Sequence, residues 1–179
     1  VLCLSEHLHD NDDGLLSMWR GYGAQGSGVA VVFDLSKLNT IEQSPLVIGK
    51  VEYASHPARL DWIASKLLQV AELVKEHPKT DENLFSIAHA WIERLKLFAL
   101  FSKHIGFSEE NEWRVVYMSE RDPEGKLRSM LGYNVTSRGV EPKLKLRLSS
   151  VPGVMDESAS LSNLVDRIIL GPSISTVLA

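Results

Sequence analysis

A chain of 179 residues with 44% apolar and 23% charged residues is long enough to bury a full hydrophobic core and reads as a soluble globular protein of one domain. Its formal net charge of -4 excludes general electrostatic attraction to nucleic acid or to an anionic membrane. The single cysteine, Cys3, excludes an internal disulfide and fits a reducing cytoplasm, and no apolar run reaches the roughly 20 residues of a membrane span.

In chain order, residues 1–4 read as the end of a strand. An acidic loop with His7, His9, Asp10, Asp12 and Asp13 follows, where Asp12 or Asp13 is placed to cap a short helix. Leu15, Leu16, Met18, Trp19 and Tyr22 give that helix an apolar side, and Gly23 suits a left-handed stop. After a glycine-rich link, residues 29–33 form a nearly continuous apolar run, the pattern of a central strand. Residues 46–53 read as a further strand interrupted at Gly49.

Two helices come next. Pro57 suits an early helical position, Leu60, Ile63, Leu67, Val70 and Val74 recur at helical spacing, and Pro78 closes the segment. Thr80 caps the second helix, whose stripe is Leu84, Ile87, Trp91, Leu95 and Phe98. Together they predict a helical hairpin covering a sheet.

The segment 112–118 alternates as a strand, with Trp113, Val115 and Tyr117 on one face and Glu112, Arg114 and Val116 on the other. Residues 122–125 carry turn chemistry, and the polar stretch to Pro142 reads as a loop holding at most a short strand. Residues 143–148 alternate strictly, and residues 165–170 form a last strand before Gly171 and Pro172. Strands with one helical insert predict an α+β fold, a mixed and mostly antiparallel sheet with an inserted helical hairpin. The reading is one domain over residues 1–179, cut at both ends from something longer.

Chemistry concentrates at Glu112 and Arg114, a carboxylate and a guanidinium on one strand face, with Glu110 two residues earlier. An ordinary rim ion pair is the plain alternative. Trp19 and Tyr22 lie three apart and either stack on a flat ligand or pack as core aromatics. The His and Asp residues of the acidic loop are of metal-ligand type, but their spacing matches no defined ligand set, so no metal is expected. There is no P-loop, nucleophile elbow, paired-cysteine zinc site or HExxH motif.

CLSE at residues 3–6, LSMWRGYG at 16–23, GVAVVFD at 28–34, ENEWR at 110–114 and IILGP at 168–172 together resemble, in order, a bacterial family known as domain of unknown function 2971. Where that family usually has a His between the Trp and the Tyr, this chain has Gly21, and the family's N-terminal strand and loop would precede Val1. The layout of the family is similar to that of ADP-ribosyltransferases, and some members are associated with phage defence. The resemblance implies NAD as a possible cofactor, Glu112 as the carboxylate beside the ribose and Glu110 as the group that polarises an acceptor. It further implies Arg114 holding Glu112 or a phosphate, Ser5 orienting the ribose or Glu112, and Trp19 or Tyr22 stacking on nicotinamide.

Three functional readings follow. The first is a nucleotide-binding, ADP-ribosyltransferase-like effector. The second is a non-catalytic module that binds a small molecule or a protein partner. The third is a metal-dependent hydrolase centred on the acidic loop.

Overall fold

The computed structural model describes residues 1–173, so the chain end at residues 174–179 that the sequence reads as cut lies outside the described residues. The fold is α+β, with mostly antiparallel pairing and an inserted helical hairpin. The chain forms two compact units. One takes in residues 1–2, 6–48 and those from 115 onward, the other residues 3–5 and 49–114. A three-stranded sheet is ordered β1 (Leu2–Ser5), β6 (Glu112–Tyr117), β3 (Leu46–Lys50), with β6 in the middle.

In the first unit, α1 (Leu16–Gly21) starts without the expected aspartate cap: its N-cap is Leu15, which makes no side-chain bond. Asn11 does the local work instead, its side-chain oxygen accepting from the backbone N–H groups of Asp13 and Gly14 at 3.0 Å each. Nor is Gly23 a left-handed stop, since its φ is -93°. A glycine is needed there because a Cβ would lie 2.4 Å from Cε3 of Trp19.

The run at 29–33 is indeed a strand, β2 (Val29–Phe33), but it is not central. Among the described residues it pairs only with β9 (Val165–Leu170), antiparallel, with Val29 opposite Leu170 and Val31 opposite Ile168. One face of this ribbon buries Ile169, while Val29, Val31, Ile168 and Leu170 share the other face and are exposed. Gly171 closes the ribbon by donating its N–H to the carbonyl of Gly28 at 2.9 Å.

The stretch expected to be mostly loop holds a complete hairpin, β7 (Leu131–Thr136) with β8 (Gly139–Leu144). Its alternation was masked by Gly132, Asn134 and Pro142, residues disfavoured in strands, and cross-strand pairing overrides that weak local preference. The alternating segment at 143–148 accordingly contributes only its start to a strand. Beside the hairpin, Leu127, Val154, Met155 and Ala159 form a buried cluster. The turn at 122–125 is pinned by Asp122, which accepts from the N–H groups of Lys126 (2.7 Å) and Leu127 (3.0 Å) and from the Tyr117 hydroxyl (3.0 Å).

In the second unit the break expected at Gly49 comes at Val51, which is buried and separates β3 from β4 (Glu52–Ala54). From β4 the chain enters α2 (His56–Glu76), capped by Ser55 with Pro57 in its first turn, and returns through α3 (Asp81–Phe101), capped by Thr80. The stacked rings of Trp62 and Phe98, 4.1 Å apart, fix the register of the two helices. Neither helix has a buried residue, so the stripes read from the sequence are only half-covered. At the foot of the hairpin α3 passes into β5 (Ser102–His104), a strand the helical pattern concealed, which pairs in parallel with β4. A parallel pair needs a long crossover, and the helical hairpin supplies it.

Candidate functional site

The second unit brings Glu112 and Arg114 together with a cation that sequence reasoning missed. Asn111 adopts a left-handed conformation (φ 41°) that ends the turn over Ile105–Glu110 and starts β6. Alternation then places Glu112 and Arg114 on one face, and Glu112 is 4% exposed.

Glu112 accepts from Arg114 twice, Oε1 from Nε at 2.8 Å and Oε2 from Nη2 at 3.0 Å, a planar two-point grip. Its Oε2 also accepts from Nζ of Lys103, on β5, at 3.2 Å. Lys103 donates in addition to Oε2 of Glu110 at 2.5 Å and lies 4.9 Å from the Phe107 ring centre. Arg114 spends Nη1 on the carbonyl of Leu100 at the end of α3. The backbone of Glu112 is held as well, its N–H donating to the Tyr53 hydroxyl at 2.9 Å and its carbonyl accepting from Val51 at 2.8 Å. Two carboxylates and two cations thus close a charge-balanced cluster over β4, β5, β6 and the end of α3.

The electrostatics follow from this geometry. The Arg114 hydrogen bonds draw the Glu112 carboxyl down to about 2 against the opposing effect of burial, with Cys3 and Lys103 adding to the pull. Arg114 is raised in turn by the same bonds from Glu112. Burial works against the charge of Lys103, but its bonds to Glu110 and Glu112 outweigh that effect, so it too is raised. The Cys3 thiol is pushed up by local burial and then by Glu112, although the residue as a whole is exposed. A raised thiol holds little thiolate at neutral pH and is a poor nucleophile.

Of the residues singled out in the sequence, Ser5, Glu110, Glu112 and Arg114 come together in this cluster. Ser5 is not a free hydroxyl, because its Oγ donates to the backbone carbonyl of Glu110 at 2.6 Å. Trp19 and Tyr22 belong to the first unit. Trp19 is buried and donates its indole N–H to the carbonyl of Asp13 at 2.7 Å, whereas Tyr22 is 73% exposed at the end of α1. Lys103 and Tyr53 were missed. The only available signal for Lys103 was its distance from Glu112 in sequence, short enough for a strand to fold back, and the long helical pattern before it hid that strand.

The acidic loop is organised around a protein cation. Arg167, on β9, donates Nη2 to the carbonyls of His9 (2.7 Å) and Asn11 (3.4 Å), and its Nε lies 3.5 Å from Asp12. Among the described residues no group of three or more His, Cys, Asp or Glu could hold a metal ion. Nor is any described helix long and apolar enough to cross a membrane.

No curated protein and no solved structure matches the chain. The family described as Protein of unknown function (DUF2971) matches residues 18–115, a span that runs from the start of α1 through the hairpin to Arg114 and its neighbour on β6. With more than half its length matched, the chain belongs to the DUF2971 family.

Proposed function

We infer that this chain is a non-catalytic binding module that works through protein contact, and that the Glu112 cluster is its internal clasp. The observation that carries this reading is that both carboxylate oxygens of Glu112 are occupied by Arg114 and Lys103. Stabilising a developing oxocarbenium ion requires a carboxylate that presents net negative charge to the ribose, and two adjacent cations cancel that field. A carboxyl held at about 2 is also far from the neutral range in which a general acid or base is effective. The exposed aliphatic face of Val29, Val31, Ile168 and Leu170 favours a protein partner over a small ligand.

A second reading, an ADP-ribosyltransferase-like effector that handles NAD in the cytoplasm during phage defence, is favoured by one observation. Ser5, Glu110, Glu112 and Arg114 share one cluster, as that chemistry requires. The two readings separate in a single experiment, calorimetric NAD binding and nicotinamide release by the wild type and by Glu112→Gln. The clasp reading expects no nicotinamide from either protein and a less stable variant. Release by the wild type that disappears in a variant still folded and still binding NAD would overturn it.

A further inference from the structure

The hairpin of β7 and β8 has two unlike faces. Its register places Leu131, Tyr133 and Val135 opposite Leu144, Pro142 and Val140, so these six side chains share one face. At the root of the hairpin Leu144 packs against the buried cluster of Leu127, Val154, Met155 and Ala159. Beyond it the face runs on uncovered: Leu131 is 49%, Tyr133 73%, Val135 80% and Val140 67% exposed, and Pro142 is exposed with them. It holds no charged side chain.

The opposite face is cationic. Gly132, Asn134 and Thr136 stand there opposite Lys143, Glu141 and Gly139. The ammonium of Lys145 lies across Gly132, 3.8 Å from the place a Cβ would take. Glu141 is shared by Lys143 at 3.0 Å and Arg138 at 3.1 Å, one anion between two cations. Arg128, Lys145 and Arg147 are exposed and have no ion-pair partner among the described residues. From Gly125 to Met155 six cations stand against one acid, Glu141, although the chain as a whole carries a net charge of -4.

The separation of the two faces selects the occupant. A protein seated on the apolar face would leave the cations behind the ribbon beyond salt-bridge reach, about 4 Å. A nucleic acid strand cannot stack on Tyr133 and set its phosphates against Lys143 and Lys145 at once, because these side chains point to opposite sides. An anionic bilayer satisfies both faces. An amphipathic segment lying in the interface sinks its apolar side about 5–10 Å into the boundary between headgroups and acyl chains. The backbone of the ribbon then lies at headgroup level, where Tyr133 is also well placed. The cations behind it stand about 5 Å further out, inside a Debye length of about 8 Å, and the diffuse surface potential acts on them without contact. We propose that the apolar face of the β7–β8 hairpin docks on an anionic lipid surface. This inference is independent of the Glu112 cluster and of the exposed face of β2 and β9.

Co-sedimentation of the full chain with vesicles tests it, mixed phosphatidylcholine and phosphatidylglycerol against phosphatidylcholine alone. The wild type should bind the anionic vesicles about a hundredfold more tightly than the neutral ones. Lys145→Gln with Arg147→Gln, which breaks no ion pair, should weaken the anionic binding at least about tenfold and leave the neutral binding unchanged. Tyr133→Thr with Val135→Thr keeps strand-forming residues at exposed positions, and should weaken binding to both kinds of vesicle at least about tenfold with circular dichroism unchanged. A wild type that sediments with neither vesicle, or with both equally, would overturn the proposal, as would binding indifferent to the two threonines. A wild-type dimer that the threonine variant returns to the 19.9 kDa monomer would give the face to a second copy. A single-stranded oligonucleotide held by the wild type and lost by the same variant would give it to nucleic acid. Either result overturns the lipid reading.

Discussion

Glu112 makes a quantitative claim about acid stability. Its carboxyl lies at about 2 in the fold against an ordinary value of 4.5, because Arg114 grips the ionised form. At about 1.36 kcal/mol per tenfold, the gap is worth about 3 kcal/mol of stability at neutral pH. A lowered folded-state value means that this stability is present above about 4.5 and is lost as pH falls towards about 2, with about 2 kcal/mol gone by pH 3. Asp34, Asp122, Glu141 and Asp156 are lowered too, so the measurement must be differential. Urea unfolding of the wild type and of Glu112→Gln from pH 7 to pH 3 isolates the group. The variant, which leaves Arg114 and Lys103 without their shared anion, should be less stable by about 3 kcal/mol at pH 7, in line with the 3–5 kcal/mol typical of a broken buried pair. The difference should shrink by about 2 kcal/mol at pH 3. A constant difference across that range would show that the folded state does not favour the ionised carboxylate, and the clasp argument would fail with it.

Two further substitutions test the first unit. Gly171→Ala would set a Cβ 2.2 Å from the carbonyl oxygen of Gly26 and 2.7 Å from that of Gly28, both backbone atoms, so the ribbon end must open. A loss above about 3 kcal/mol is expected from denaturant midpoints, at or beyond the upper end of ordinary overpacking, and an unchanged midpoint would refute the close approach. Trp19→Phe removes the donor to the Asp13 carbonyl while keeping an aromatic ring, and should cost about 1–2 kcal/mol in the same assay. Full stability in that variant would show that water serves the carbonyl equally well.

Much of the second unit was legible because its signals are local. Ser55, Pro57, Thr80 and the helical spacing between them define α2 and α3 without reference to anything distant. The same holds for the face shared by Glu112 and Arg114, which needs only strand alternation. What escaped was set by distant partners. The hairpin of β7 and β8 is stabilised by cross-strand pairs such as Tyr133 with Pro142, invisible to a reading of either strand alone. The short β5 follows α3 with no break signal, and it is the strand that delivers Lys103. β2 has the apolar run of a central strand yet pairs only with β9 among the described residues, because composition reports affinity for apolar surroundings and not which neighbour supplies them.

The motifs that suggested chemistry find internal structural partners. The tryptophan of the helix motif is tied to Asp13, and the glycine four residues later is required by contact with that ring. Asp34, at the end of the strand motif, accepts from the Ser36 N–H and donates its own N–H to the carbonyl of Leu164. The glycine of the last motif permits a backbone approach that any side chain would block, and the Glu and Arg of the fourth hold each other. Trp19, Ser5, Glu112 and Arg114 each meet a partner within the chain. The exposed face of Val29, Val31, Ile168 and Leu170, which lies within two of these motifs, is where the proposed partner has room to bind.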